Sequence, residues 1–147
     1  MSELPFAATT PVSVARVGLK ARNAAALADF YSAVVGLEQL SRDGETVTLG
    51  AGERPLLVIE SDAAAKPDEP RAAGLFHTAF LLPSRADLGR WINHAIADRI
   101  RVDGASDHIV SEAAYLTDQE GNGIEIYADS PHEGWRWNGG QVGLATQ

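Results

Sequence analysis

Two ionisable residues of this chain lie among apolar neighbours, where a lone charge is costly. His77 lies between Phe76 and Thr78, and Glu125 lies in the run Ile-Glu-Ile-Tyr that ends at Tyr127. A buried ionised group needs a partner. An imidazole nitrogen and a carboxylate oxygen form a partial ligand set for Fe(II), Mn(II), Ni(II) or Zn(II). A hydrogen-bonded core histidine and an arginine-paired glutamate are the structural alternatives.

A second group of residues has side chains suited to proton transfer and to hydrogen bonding of a substrate oxygen. His108 and Tyr115 precede the turn sequence Asp-Gln-Glu-Gly at 118–121, which leads to Glu125. Histidine is the commonest general acid or base near neutral pH, and tyrosine also serves in proton transfer. Taken alone, His108 has the features of a solvated loop residue and Tyr115 those of a core aromatic residue.

Composition excludes several classes of protein. The 147 residues suit one domain, and a net charge of −8 leaves no surplus of cations to neutralise nucleic-acid phosphates. With no cysteine, disulfides and thiolate metal sites are excluded, so a metal would bind His, carboxylate and water. No apolar run approaches the ~20 residues that span a membrane, and residues 1–10 lack the features of a signal peptide. We expect a cytoplasmic protein without a membrane or nucleic-acid partner.

The elements that must position these residues repeat along the chain at an offset of 61 residues. In each copy the helix presents apolar residues at i, i+3, i+4 and i+7, which define one face of a helix. The matched positions are Leu27, Phe30, Tyr31 and Val34 in the first copy and Leu88, Trp91, Ile92 and Ala95 in the second. A chance match between two Ala-rich helices is the alternative, but the preceding strands, 14–21 and 75–82, agree as well.

Start and stop signals surround each helix. Asn23 and Ser84 are suited to cap the two helix N-termini, and Gly36 follows the first helix where a left-handed residue is favoured. Asp43-Gly44 predicts a hairpin turn, and residues 61–73 predict a linker between the copies. The predicted strands after the helices lie near 38–42, 45–49 and 56–60, and near 100–102, 113–116 and 123–127.

These patterns predict an α+β protein with one domain over residues 1–147. Its two βαβββ modules span about 12–61 and 74–129, and a tail covers 130–147. A lone module would expose an apolar sheet face, so the two must pair. We expect a half-open barrel with a central cleft.

This arrangement resembles the vicinal oxygen chelate superfamily, which contains glyoxalases, bleomycin-resistance proteins and extradiol dioxygenases. The resemblance covers nearly the whole chain and rests on His77 in a first strand and Glu125 in a Gly-x-x-Ile-Glu-like ending. It implies a cleft with a divalent metal that binds two adjacent substrate oxygens. The family's ligand positions fall on Arg16, Glu60, His77 and Glu125.

Two of these positions depart from a simple ligand set. Arg16 stands where a metal-binding member has a histidine, and arginine stays protonated and cannot ligate. It would repel a dication or replace one by pairing with Glu125. Glu60 is equally consistent with a ligand and with a solvated strand end. The third ligand would be Glu60, a residue of a partner chain or water.

Residues 106–129 resemble the extradiol dioxygenases more narrowly, in particular the N-terminal half of two-domain, bacillus-type catechol 2,3-dioxygenases. His108, Tyr115, Asp118 and Glu125 match that pattern, whereas Gln119 replaces the usual proline. The resemblance implies His108 as the acid/base and Tyr115 as the substrate anchor, with Fe(II) or Mn(II) as the metal. Because such enzymes are about twice this length, a second copy in a homodimer is expected to supply what is missing.

The sequence therefore leaves two hypotheses for the function open. The first is a metal-dependent, dioxygenase-like protein acting on a small aromatic molecule with two adjacent oxygens. The second is a non-catalytic protein that binds a small aromatic or anionic molecule, with Arg16 in place of the metal and no cofactor.

Overall fold

The computed structural model describes residues 10–66, 73–139 and 141–143. The chain divides into two compact units. One contains Val14–Thr78 and Asp118–Gly123, and the other contains Ala79–Thr117 and the chain from Ile124. None of the described helices is long and apolar enough to cross a membrane.

The first half of the chain forms a βαβββ module. Its elements are β1 (Val17–Ala21), α1 (Ala24–Val34), β2 (Glu38–Asp43), β3 (Thr46–Ala51) and β4 (Arg54–Ser61). The strand order is β1-β4-β3-β2, with β1 parallel to β4 and the other pairs antiparallel. The predicted cap is confirmed, because the Asn23 side chain accepts a hydrogen bond from the Ala26 amide at 3.0 Å. Gly36 has the expected left-handed conformation, with a φ of 88°.

The second half repeats this arrangement. Its elements are β5 (His77–Leu81), α2 (Arg85–Ala97), β6 (Gly104–Asp107), β7 (Ser111–Thr117) and β8 (Gly123–Asp129). The strand order β5-β8-β7-β6 matches that of the first sheet, and the Ser84 side chain accepts from the Asp87 amide as predicted. Two βαβββ modules and the α+β class are therefore confirmed. Their pairing into a half-open barrel stays a prediction.

Alternation along β8 separates a core face from a polar face. Ile124, Ile126 and Ala128 are buried at 2% exposure or less, whereas Glu125 and Tyr127 between them are half-buried. Successive side chains of a strand point to opposite faces. The core face therefore holds the strand in place, and the other face can carry polar groups.

One predicted strand was wrong. Residues 100–102 do not form a strand, since β6 begins at Gly104. Helix α2 terminates in this region instead. Arg99 adopts a left-handed φ of 55°, and the Ile100 amide donates back to the Ala95 carbonyl at 2.8 Å. Ile100 therefore completes the helix end, and a short stretch with apolar residues does not by itself distinguish a helix end from a strand.

The described residues outside the two modules have little regular structure. Of the predicted linker, residues 67–72 lie outside the described residues. The described part of the tail contains a 3₁₀ turn at His132–Gly134 and a short antiparallel pair, β9 (Trp137–Asn138) and β10 (Gln141–Val142). The Trp135 indole donates to the Ser130 carbonyl at 3.1 Å, which ties the start of the tail to its own unit.

Candidate functional site

The polar face of the second sheet carries the best-defined cluster of reactive side chains. Tyr115 lies near the end of β7, and Glu125 lies in β8, the neighbouring strand. Both are half-buried, whereas their neighbours Leu116 and Ile124 face the core. The alternation of each strand thus presents one phenol and one carboxylate on the same face.

A hydrogen-bonded chain joins three of the residues identified in the sequence. The Tyr115 hydroxyl lies 2.8 Å from Nε2 of His108 and donates to Oε1 of Glu125 at 3.0 Å. Because the single phenol hydrogen is donated to Glu125, the phenol oxygen must accept from a protonated Nε2 of His108. In the neutral imidazole this assignment makes Nδ1 the acceptor nitrogen.

The environment keeps the Tyr115 phenol protonated. Burial, the hydrogen bond to Glu125 and the charge of Glu125 raise the pKa of Tyr115 to about 12. Burial also raises the pKa of Tyr127, which lies on β8 two residues after Glu125, and the charges of Asp129 and Glu125 raise it further. Tyr115 is therefore a fixed donor to Glu125 at neutral pH.

The turn that holds His108 was not recognised in the sequence. The His108 amide donates to the Ser111 carbonyl at 2.9 Å. Ile109 adopts a left-handed φ of 72°, and its amide donates to Oδ1 of Asp107 at 2.7 Å. An aspartate accepting from the amide two residues on is a recognised turn pattern, so Asp107 was the available signal.

Of the predicted metal ligands, His77 and Glu125 lie on neighbouring strands of one sheet. His77 is the first residue of β5 and is half-buried. Gly123 makes the close approach of β8 possible at this point, because a Cβ there would lie 2.6 Å from the Phe76 carbonyl oxygen and 3.1 Å from Cβ of His77.

The other two positions from the family pattern are exposed. Glu60 lies on β4, and Arg16 immediately precedes β1. Among the described residues, no three His, Asp or Glu side chains form a group that would hold a metal ion. The donor types of His77 and Glu125 suit a divalent metal, but the described side chains do not complete a three-ligand site. The ligand set His77, Glu125 and Glu60 stays a prediction.

A separate groove of about 740 Å³ lies between α2 and the strands β6 and β7. Trp91 and Ala113 contribute apolar surface to it, and Arg85 and Glu112, which form an ion pair, line it as well. None of the site residues predicted from the sequence lines this groove. The groove therefore belongs to the helix side of the second module and not to the polar face that carries Tyr115.

Comparison with known proteins gives a family and a relative. The sequence model of the Glyoxalase/Bleomycin resistance protein/Dioxygenase superfamily matches residues 13–126. The chain is 43% identical over 113 residues to the catechol-2,3-dioxygenase of Bacillus subtilis, and the match covers 73% of this chain. It spans 38% of the length of that relative.

Solved structures share the fold. A glyoxalase/dioxygenase from Nostoc punctiforme superposes with a TM-score of 0.68 and 17% identity, covering 81% of this chain and 92% of the other. A lactoylglutathione lyase from Agrobacterium tumefaciens gives a TM-score of 0.60 and 25% identity, covering 80% of this chain and 94% of the other. Because structural relatives of different activity share this fold, the fold alone does not choose among activities.

Proposed function

Because this chain belongs to the Glyoxalase/Bleomycin resistance protein/Dioxygenase superfamily, we propose that it is a dioxygenase-like protein for small aromatic molecules with two adjacent oxygens. The hydrogen-bonded chain from His108 through Tyr115 to Glu125 carries this proposal. The identity to the catechol-2,3-dioxygenase of Bacillus subtilis supports it over the lyase-type relatives. Catechol is the simplest molecule of this class.

The geometry suggests what each residue does. The Nδ1 atom of His108 would accept a proton from one catechol hydroxyl, which charges the imidazole. The positive ring would then be stabilised through Tyr115 by the Glu125 carboxylate, since charge-assisted hydrogen bonds are stronger than neutral ones. Tyr115 would act by holding the imidazole of His108 in place through its hydrogen bond to Nε2, and its role as a direct substrate anchor stays a prediction.

Binding of catechol tests this assignment. Isothermal titration of the parent, His108→Ala and Tyr115→Phe would show weaker binding in both variants, by about 5- to 30-fold, as expected for a loss of one to two kcal/mol. His94→Ala is the matched control, because His94 lies on α2 and pairs with Asp98 instead. Oxygen uptake on adding catechol would test for turnover. Equal affinity in all four proteins would refute the site.

The metal is a separate part of the proposal. Fe(II) or Mn(II) would be held by His77 and Glu125, with Glu60, a partner-chain residue or water as the third ligand. When bound, such a metal would hold both oxygens of the substrate. Elemental analysis of protein purified without chelator tests this, with His77→Ala as the comparison. About one metal per chain, lost in the variant, would support the ligand set.

The alternative is a non-catalytic protein that binds a small aromatic or anionic molecule, with Arg16 taking the place of the metal. It is motivated by Arg16, which stands at a ligand position of the family pattern but cannot ligate a metal. Metal acquired by Arg16→His but not by the parent would favour it, and a stoichiometric metal in the parent would refute it. Homodimer assembly stays a prediction for both functions, which sedimentation equilibrium would test.

A further inference from the structure

We propose that Asp107 is a positioning residue that orients His108 through the backbone of Ile109. The inference rests on the role proposed above for His108. Asp107 ends β6, and the turn of residues 108–110 leads into β7 at Ser111. Three observations on this turn lead to the proposal: a strained residue, its hydrogen bond to Asp107, and the fixed ends of the turn.

The strain lies at Ile109. Its φ of 72° is left-handed, a conformation that places Cβ too close to the following carbonyl oxygen and costs about 1–2 kcal/mol. Branching at Cβ makes isoleucine a particularly poor residue for it. Strain of this kind persists only where the surroundings enforce it, and it concentrates at functional sites. Ile109 directly follows His108, and its amide belongs to the peptide plane that joins the two residues, so a contact that holds this amide also restrains the backbone of His108.

Asp107 supplies a contact that compensates for the strain. Its Oδ1 accepts from the Ile109 amide at 2.7 Å, which holds that amide in the direction the left-handed angle requires. The flanking bonds fix the turn at both ends: the His108 amide donates to the Ser111 carbonyl, and the Ser130 amide donates to the carbonyl of buried Val110. With both ends fixed, the Asp107–Ile109 bond determines how the middle of the turn, and so His108, is held.

This role requires an acceptor oxygen and not a charge. Asparagine at position 107 keeps that oxygen, whereas alanine removes it. Glycine adopts left-handed angles without steric cost, so Ile109→Gly would make the acceptor unnecessary. The Asp107 charge also contributes, after the larger effect of Glu112, to the raised pKa of Arg85. Comparing Asn with Ala at position 107 separates this electrostatic effect from the geometric one.

The experiment is a double-mutant cycle read by NMR. Long-range ¹H–¹⁵N spectra of the parent, Asp107→Ala, Asp107→Asn, Ile109→Gly and Asp107→Ala/Ile109→Gly report which His108 ring nitrogen carries the proton. His108→Ala identifies the resonance, since the chain has four histidines. Catechol affinity by titration is the second readout. Asp103→Ala is the matched control, because Asp103 accepts from the Thr117 side chain outside this turn.

We expect Asp107→Ala to abolish the preference for protonated Nε2 and to weaken catechol binding by about 5- to 30-fold. Asp107→Asn should retain both the preference for protonated Nε2 and the catechol affinity of the parent. In the Ile109→Gly background, removing the Asp107 side chain should change affinity by no more than about twofold, the scatter of independent effects. Equal losses in both backgrounds, or an unchanged tautomer in Asp107→Ala, would overturn the proposal. A parent that fails to bind catechol but shows the tautomer pattern would refute the proposed function alone.

Discussion

The Tyr31 hydroxyl donates a 3.0 Å hydrogen bond to Oδ2 of Asp118, in the turn between β7 and β8. Both residues are buried, Tyr31 at 0% and Asp118 at 6% exposure. Asp118 also accepts from the Glu120 and Asn122 amides and from the Asn122 side chain. The aspartate that the family pattern singles out is therefore a structural residue that joins this turn to α1.

Removing this carboxylate should destabilise the protein strongly. Asp118→Ala leaves the Tyr31 hydroxyl and two amides without their acceptor, and each unsatisfied buried group costs about 1–3 kcal/mol. We expect a loss of about 3 kcal/mol or more in the free energy of unfolding, measured by urea denaturation. Tyr31→Phe removes one donor and should cost only about 1 kcal/mol. A loss for Asp118→Ala no larger than that for Tyr31→Phe would contradict the structure.

The three tyrosines should titrate abnormally. Burial and Asp118 raise the pKa of Tyr31, and the pKa values of Tyr115 and Tyr127 are raised as well. Because the chain contains three tyrosines, ionisation of the folded protein should be shifted above pH 10, whereas protein in urea should show all three tyrosines ionising near pH 10. Absorbance at 295 nm between pH 8 and 12 measures this. A full-height step at pH 10 in folded protein would contradict the environments described.

The same shifts predict how stability depends on pH. Above pH 10 the unfolded chain releases the Tyr31 proton, while the folded chain retains it. The unfolded state then binds fewer protons, so the free energy of unfolding falls as pH rises. Stability contributed by the protonated phenol is complete below pH 10 and is lost above it. Tyr31→Phe should show a shallower decline than the parent in denaturation curves measured at pH 9, 10 and 11.

Much of the fold was predictable because its signals are local. The caps at Asn23 and Ser84, the left-handed Gly36 and the alternation along β8 each depend on a few neighbouring residues. The strand predicted at 100–102 failed because two apolar residues, Ile100 and Val102, after a helix suit a helix end as well as a strand. The true edge strand, Gly104–Asp107, is too short and too polar to show alternation.

The sequence singled out residues but not their geometry. The resemblance to the extradiol dioxygenases drew attention to His108, Tyr115 and Glu125, and the structure joins them in one hydrogen-bonded chain. The left-handed angle at Ile109 was not predictable, since isoleucine disfavours it, although Asp107 could have indicated a turn. Long-range pairs such as Tyr31 and Asp118, 87 residues apart, have no local pattern at all.

The two helix caps should contribute similar stability. Asn23 accepts from the Ala26 amide at 3.0 Å, and Ser84 accepts from the Asp87 amide at 3.2 Å. Asn23→Ala and Ser84→Ala should each lower the free energy of unfolding by about 1 kcal/mol. Asn23→Asp and Ser84→Thr keep an acceptor and should lose much less. Urea denaturation in which the alanine variants match the parent would show that the caps contribute nothing.

Glycine is required at position 123 but not at position 104, although both begin strands of the second sheet. A Cβ at Gly123 would lie 2.6 Å from the Phe76 carbonyl oxygen, whereas a Cβ at Gly104 meets nothing within 4 Å. Gly123→Ala must displace backbone, which should lower the free energy of unfolding by about 1–3 kcal/mol. Gly104→Ala should be neutral or slightly stabilising, because alanine restricts the unfolded chain more than glycine does.

The same pair of variants tests whether the close approach of β8 to His77 is needed to retain a bound metal ion. If His77 contributes to a metal site, Gly123→Ala should also weaken metal retention, since displacement at this point moves the backbone beside His77. Gly104→Ala should retain metal as the parent does. Metal content after dialysis, measured on folded protein of each variant, separates this effect from stability. In the stability comparison, equal free energies of unfolding for the two alanine variants would mean that β8 does not approach Phe76 as closely as the structure shows.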